Sequence, residues 1–166
     1  MPATFTGSTL NARSFATLLP SAEIYLFEGI CKKPHYVFID CPPALSWLTI
    51  NAFTASDKVL VTVSPGYFEL DSIVQICKTI NEVQEYFNPA IAIAGFLFTM
   101  ADPTINSTTS LKILRQTYTG AVLNTIIPRN TDLRDAHFNQ KDVFTYAPDS
   151  KSAQAYARLL VELFPL

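Results

Sequence analysis

Four short apolar runs, each broken abruptly where a polar group begins, constrain this chain more than any other feature. They are Tyr36–Ile39 before Asp40-Cys-Pro-Pro, Lys58–Ser64 before Pro65-Gly66, Ile91–Thr99 before Met-Ala-Asp102, and Ala121–Ile127 before Pro128-Arg-Asn130. Each is short for a helix and rich in β-branched or aromatic residues, as buried strands are. Prolines such as Pro42 and Pro43 end a ladder because they cannot donate to it and restrict the residue before them. Between the runs lie helical patterns. Residues 44–55 repeat Leu45, Leu48 and Ala52 at helical spacing, with Trp47 expected to pack. Residues 68–87 carry Leu70, Ile73, Cys77, Ile80, Val83 and Phe87, a stripe of helical period closed by Asn88-Pro89. Residues 107–118 place Leu111, Leu114 and Tyr118 on one face ahead of Gly120, a residue suited to a helix C-terminus. A last helix is expected from a Ser150 cap, with Ala153, Tyr156, Ala157 and Leu160 inward. Strands alternating with such helices predict a three-layer α/β fold, a mostly parallel sheet with flanking helices and right-handed crossovers.

The remaining segments carry less pattern. Residues 131–149 read as a loop with one helical turn near Leu133. Residues 1–30 read as a leader in which helices over 12–19 and 22–29 would fit. Gly7-Ser8-Thr9 has the look of a phosphate loop, but no lysine follows. No internal repeat or second domain is visible, so residues 1–166 are expected to form one domain.

Composition narrows the functional classes. Hydrophobic residues make up 49% of the chain and charged residues only 16%. That balance suits a sheet buried on both faces, or a surface normally covered by something else. A net charge of −2 gives no bulk electrostatic case for binding nucleic acid or an anionic membrane. The charge is uneven, however: residues 1–110 hold five basic and nine acidic groups, and residues 111–166 seven and five. A local basic patch is therefore permitted toward the carboxyl end. Cys31, Cys41 and Cys77 form no CxxC and have no histidine nearby in metal-ligand spacing, which argues against zinc and for small buried thiols in a reducing cytoplasm. No segment has the roughly 18–20 apolar residues that span a bilayer. No Ser/His/Asp arrangement is visible, and His35 and His137 suit the surface as well as chemistry.

Asp40 is the first candidate for chemistry. It stands at the carboxyl end of its strand, the edge where open α/β sheets bind ligands. A carboxylate there either caps the turn or holds Mg²⁺ through water and orients a water near a phosphate.

Taken in order, these motifs resemble a known family. YVFIDCPPALSWLTINAFTASDKVLVTVSPGYFELDSI, GFLFTMADPTINSTTS and VLNTIIPRNTDLRDAHFNQKDVFTYAPDSKSAQAYARLL are similar to segments of the ParA/Soj family of chromosome- and plasmid-partitioning ATPases, deviant Walker-type P-loop NTPases. The resemblance covers residues 36–163 and implies a truncated P-loop NTPase-like domain of the ParA/MinD type. It implies that Asp40 is the Walker B carboxylate, acting on Mg²⁺ and its waters. It places Pro128, Arg129 and Asn130 beside adenine, with Asn130 the better candidate for a base contact, and Thr99, Met100 and Asp102 in the neighbouring loop. The loop arginine common in the family has no counterpart in Asp102-Pro-Thr-Ile-Asn106.

The family's glycine-rich loop of the KGGxGKTT type is absent from the 166 residues. ATP and Mg²⁺ are the cofactors of the complete family, and this chain alone is expected to bind them very weakly or not at all. Complete members dimerise around nucleotide, bind DNA non-specifically and answer to a ParB-like stimulating protein. Expected partners are thus a full-length ParA-like chain, a ParB-like protein and DNA, the last through Lys112, Arg115, Arg129, Arg134, Lys141, Lys151 and Arg158. A membrane is not expected, because VELFPL brings no basic amphipathic extension. The implied place is the cytoplasm, at the nucleoid if DNA binding survives. The alternative readings are a non-catalytic module that associates with a full-length homologue, or a non-functional truncated gene product.

Overall fold

A computed structural model describes residues 36–42 and 44–164, without the side chains of residues 67–69. The expected helices over 12–19 and 22–29, Gly7-Ser8-Thr9, Cys31 and His35 lie outside the described residues. In chain order the elements are α1 (Trp47–Ala55), β1 (Lys58–Val63), α2 (Tyr67–Tyr86), β2 (Ala92–Ala101), α3 (Ile105–Thr117), β3 (Val122–Pro128), α4 (Thr131–Phe138), α5 (Val143–Tyr146) and α6 (Lys151–Leu163). They gather into two compact units: described residues up to Val59 with Gln75–Ala92, and Leu60–Val74 with Ile93 onward.

In the first unit, the run expected as the opening strand is a bridge at Tyr36–Val37 rather than a full strand. Tyr36 and Phe38 remain 53% and 49% exposed. Apolar composition alone does not bury a strand; both faces of the sheet must be covered. Helix α1 buries Thr49, Ala52 and Phe53, while Leu45 and Leu48 of the expected stripe are exposed. Trp47 is 78% exposed, so the expectation that it packs is corrected. At the end of α2, Asn88 ties two elements together. Its Nδ2 donates to the carbonyls of Ser56 (2.8 Å) and Phe53 (3.4 Å), and its Oδ1 accepts from Ala90 N–H (3.2 Å). The Asn88-Pro89 stop thus also satisfies carbonyls left open at the C-terminus of α1. Buried Ile80 and Val83 bear out the inward stripe in this half of α2, whereas Phe87, expected on the same stripe, lies past the helix and is 52% exposed.

The second unit holds the three-stranded parallel sheet, in order β1-β2-β3. Strand β2 alternates between its two faces. Leu97, with Ile127 of β3, packs against Ala155 and Leu159 of α6. Phe96 instead meets the Tyr118 ring, just past α3, at 4.3 Å between centroids. Helices α6 and α3 therefore cover opposite faces, and the layers are helix, sheet, helix. Phe98 and Leu114 are both 0% exposed. Gly95 sits where β2 and β3 approach closely: a Cβ there would lie 2.9 Å from Leu123 Cδ2 and 3.2 Å from the Ala121 carbonyl. The pairing is irregular beside it, with Phe96 opposite Val122 and Phe98 opposite Ile126.

Two expectations change here. Residues 131–149 are not a loop but contain α4 and α5. Both are short and defined by caps: Asn130 Oδ1 accepts from Asp132 N–H (2.6 Å), and Asp142 Oδ1 from Thr145 N–H (2.8 Å). Helix α6 is capped as expected, Ser150 Oγ accepting from Ala153 N–H at 3.1 Å. Its buried line is Ser152, Ala153, Ala155 and Leu159, with Tyr156 partly buried, whereas Ala157 and Leu160 face outward. The stripe is turned by one residue, about 100° on a helix. Leu159, Leu160 and Val161 are all apolar, so pattern alone could not choose among them.

Ser152 is 0% exposed and its hydroxyl has no partner. A buried, unpaired hydroxyl is destabilising, and alanine is also the better helix former. Ser152→Ala is expected to stabilise the chain by about 1 kcal/mol, read as a higher urea midpoint at unchanged slope; a lower midpoint would mean the hydroxyl has a role.

Candidate nucleotide site

The carboxyl ends of β2 and β3 bring two of the expected segments together. Ala101 pairs with Pro128, and Arg129 N–H donates to the Ala101 carbonyl at 2.8 Å. Thr99, Met100 and Asp102 thereby lie beside Pro128, Arg129 and Asn130. Within this group, several polar atoms are already engaged. The Thr99 hydroxyl donates to the Val63 carbonyl at 3.4 Å, fastening the end of β2 to β1. Asn130 Oδ1 is taken by the cap of α4, which leaves its Nδ2 group as the end able to donate to a base. Met100 is exposed and holds φ 53°, an uncommon backbone state for a non-glycine residue.

Asp102 is built into the start of α3. Its Oδ1 accepts from the Thr104 hydroxyl (2.5 Å) and Thr104 N–H (3.2 Å), and its own N–H donates to Ser107 Oγ (3.2 Å). Thr104 in turn caps α3 by accepting from Ser107 N–H. The Thr104 hydroxyl bond chiefly holds the Asp102 carboxyl below its ordinary range, against partial desolvation and helped by the Thr104 N–H and the Arg129 charge. Thr145 does the same for Asp142, first through its hydroxyl. A carboxyl held low stabilises the fold above its ordinary pKa of 3.8, and that contribution is lost as pH falls through the lowered value. The urea midpoint is therefore expected to drop once pH goes below 3.8, and Asp102→Asn should flatten that drop. A midpoint that holds through this range would contradict the bonding described.

Asp40 belongs to the first unit, follows the Tyr36–Val37 bridge and is exposed. Beside it the half-buried Cys41 thiol is pushed up, first by burial and then by the Asp40 charge, so it stays protonated and unreactive. Cys77 is also half-buried. Among the described residues no group of three or more His, Cys, Asp or Glu side chains could hold a metal ion. Asp40 by itself is thus one carboxylate, which suffices for Mg²⁺ only when phosphates complete the shell. The glycine-rich lysine loop that would hold phosphates is absent from the 166 residues.

The basic candidates are exposed but dispersed. Lys112 and Arg115 are on α3, and Lys151 and Arg158 on α6, across the sheet from them. Arg134, on α4, touches Asp135 at 4.0 Å in a solvent-exposed pair worth little. Lys141 lies between α4 and α5. No single flat surface can use both the α3 and the α6 groups. Among the described residues, no helix is long and apolar enough to cross a membrane. Sequence reasoning passed over Thr104, Asp142 and Glu162, each of which holds backbone N–H groups; the first two carry the visible signal of a Ser/Thr/Asp residue three positions before its donor.

A family model described as an AAA domain matches residues 20–93. The sporulation initiation inhibitor protein Soj of Bacillus subtilis is 36% identical over 137 residues, 82% of this chain and 54% of its own length. The chromosome partitioning protein ParA of Caulobacter vibrioides is 36% identical over 129 residues, 77% of this chain and 48% of its own. The chain spans about half the length of these curated relatives. Among solved structures, cobyrinic acid a,c-diamide synthase of Mycobacterium smegmatis superposes with a TM-score of 0.65 at 28% identity, over 93% of this chain and 60% of that one. The septum site-determining protein MinD of Pyrococcus horikoshii, solved with Mg-ADP, gives 0.67 at 18% identity over 93% and 57%, a likeness of fold. The ordered motifs, the parallel sheet with helices on both faces and these matches agree, and the chain belongs to the ParA/Soj family of partitioning ATPases.

Proposed function

We propose that this chain is a ParA-like partition protein of plasmid or chromosome segregation that acts by associating with a complete homologue and does not hydrolyse ATP alone. The observation that carries the reading is the pairing of an adenine-side cluster, Thr99 to Asp102 with Pro128 to Asn130, with the absence of any glycine-rich lysine loop in the 166 residues. That loop supplies the phosphate cradle and the Ser/Thr that holds Mg²⁺ in P-loop enzymes. On this reading Asp40 is the Walker B carboxylate, with Cys41-Pro42-Pro43 as the switch that follows it. Tyr36, Phe38, Trp47 and Leu48, near Asp40 in the sequence, are large apolar side chains left exposed, which favours association.

The test is titration of the chain into an intact partition ATPase, such as the Bacillus subtilis Soj protein, with turnover followed with and without DNA. A saturable change in turnover is expected, while the chain alone shows none. Turnover unaffected at excess chain would remove the association. Should DNA be retained through the basic groups, its affinity is expected to fall steeply with salt, and a salt-independent affinity would exclude phosphate contacts. A ParB-like protein is the further partner this reading implies.

A further inference from the structure

The last turn of α6 holds Glu162, an acid where the helix dipole favours a base. Its use lies across the sheet edge. Asn124 N–H donates to Glu162 Oε1 at 2.6 Å, Asn124 Nδ2 to the same oxygen at 3.2 Å, and Thr125 N–H to Oε2 at 2.8 Å. Successive N–H groups of a regular strand point to opposite sides, so two reaching one carboxylate require a distorted strand. The register shows that distortion: the step from Phe96 to Phe98 on β2 is matched by the step from Val122 to Ile126 on β3. Desolvation raises the Glu162 pKa, but the bonds from Thr125 and Asn124 outweigh it and leave the carboxyl below its ordinary value.

Among the described residues, β3 is a terminal strand of the sheet. An outer edge with free N–H groups is a template for another strand. The segment Val122-Leu-Asn-Thr-Ile-Ile127 is uncharged, rich in β-branched residues and free of proline until Pro128, the composition that pairs with copies of itself. We propose that Glu162 is an edge guard, closing the outer edge of β3 against addition of the same strand from a second copy of this chain. Two such edges would meet about a two-fold axis, each offering the same main-chain groups. This goes beyond the partition reading and does not depend on it.

Sedimentation of Glu162→Ala and Glu162→Gln, compared with the unchanged chain across a concentration series, tests the guard. Self-association at least about tenfold tighter than in the parent is expected, with faster amide exchange at Asn124 and Thr125. Adding Asn124→Pro, which removes a donor from the edge, should abolish the extra association. Association that survives the proline uses another surface and overturns the proposal. So does a folded Glu162→Ala or Glu162→Gln chain that sediments as the parent does. If neither variant folds, amide exchange of the unmodified chain decides: protected Asn124 and Thr125 amides support the clasp, and unprotected ones overturn it.

Discussion

Phe98→Ala is expected to cost about 3–5 kcal/mol, the range for deleting a fully buried aromatic side chain. Phe98 is 0% exposed in the middle strand of the sheet, where β2 is paired on both sides. The surrounding core can relax only in part around the hole it would leave. Since domains are stable by only about 5–15 kcal/mol, a large part of the folded population should be lost in mild urea. Phe98→Leu, which keeps most of the volume, is expected to cost less than about 1.5 kcal/mol. Far-UV circular dichroism is the proper probe, because the single tryptophan, Trp47, is 78% exposed and reports little of the core. Equal midpoints for the alanine variant and the parent would mean that Phe98 is not central to the packing.

Supplying the phosphate grip is expected to have the largest functional effect. Joined behind a segment of the family that bears the glycine-rich lysine loop, the chain should gain Mg-ATP affinity by about a hundredfold or more, equal to about 2.7 kcal/mol. Backbone N–H groups at a helix N-terminus and a lysine provide most of the hold on phosphate. Within that joined protein, Asp40→Asn should lower hydrolysis by about a hundredfold or more while leaving nucleotide affinity within a few-fold, since it removes a charge that acts on the metal and its water. Hydrolysis at the parent rate in the Asp40→Asn protein would take Asp40 out of the site.

Much of the fold was legible in the chain. β1, β2 and β3 announce themselves as apolar runs cut by Pro65-Gly66, by the turn to Asp102 and by Pro128, and α2 and α3 by long stripes of helical period. What failed did so for physical reasons. α4 and α5 have eight and four residues, too few for a stripe, and are set by the Asn130 and Asp142 caps. The face of α6 was misjudged because Leu159-Leu160-Val161 offers three apolar choices. The site was legible mainly through resemblance. From the residues alone, Asp102 and Asn130 read as free polar groups at strand ends, whereas Asp102 and one end of Asn130 are committed to helix starts. Glu162 left only the oddity of an acid at a helix C-terminus.

We propose that this chain carries Asp40 and the adenine-side residues of its family without a grip on phosphate. Calorimetric titration of the chain with ATP and Mg²⁺ tests it most directly. No heat of binding is expected up to about millimolar nucleotide, a range that corresponds to less than about 4 kcal/mol of binding free energy. Saturable binding well below that concentration, lost in Asp40→Asn or Asn130→Ala, would contradict it.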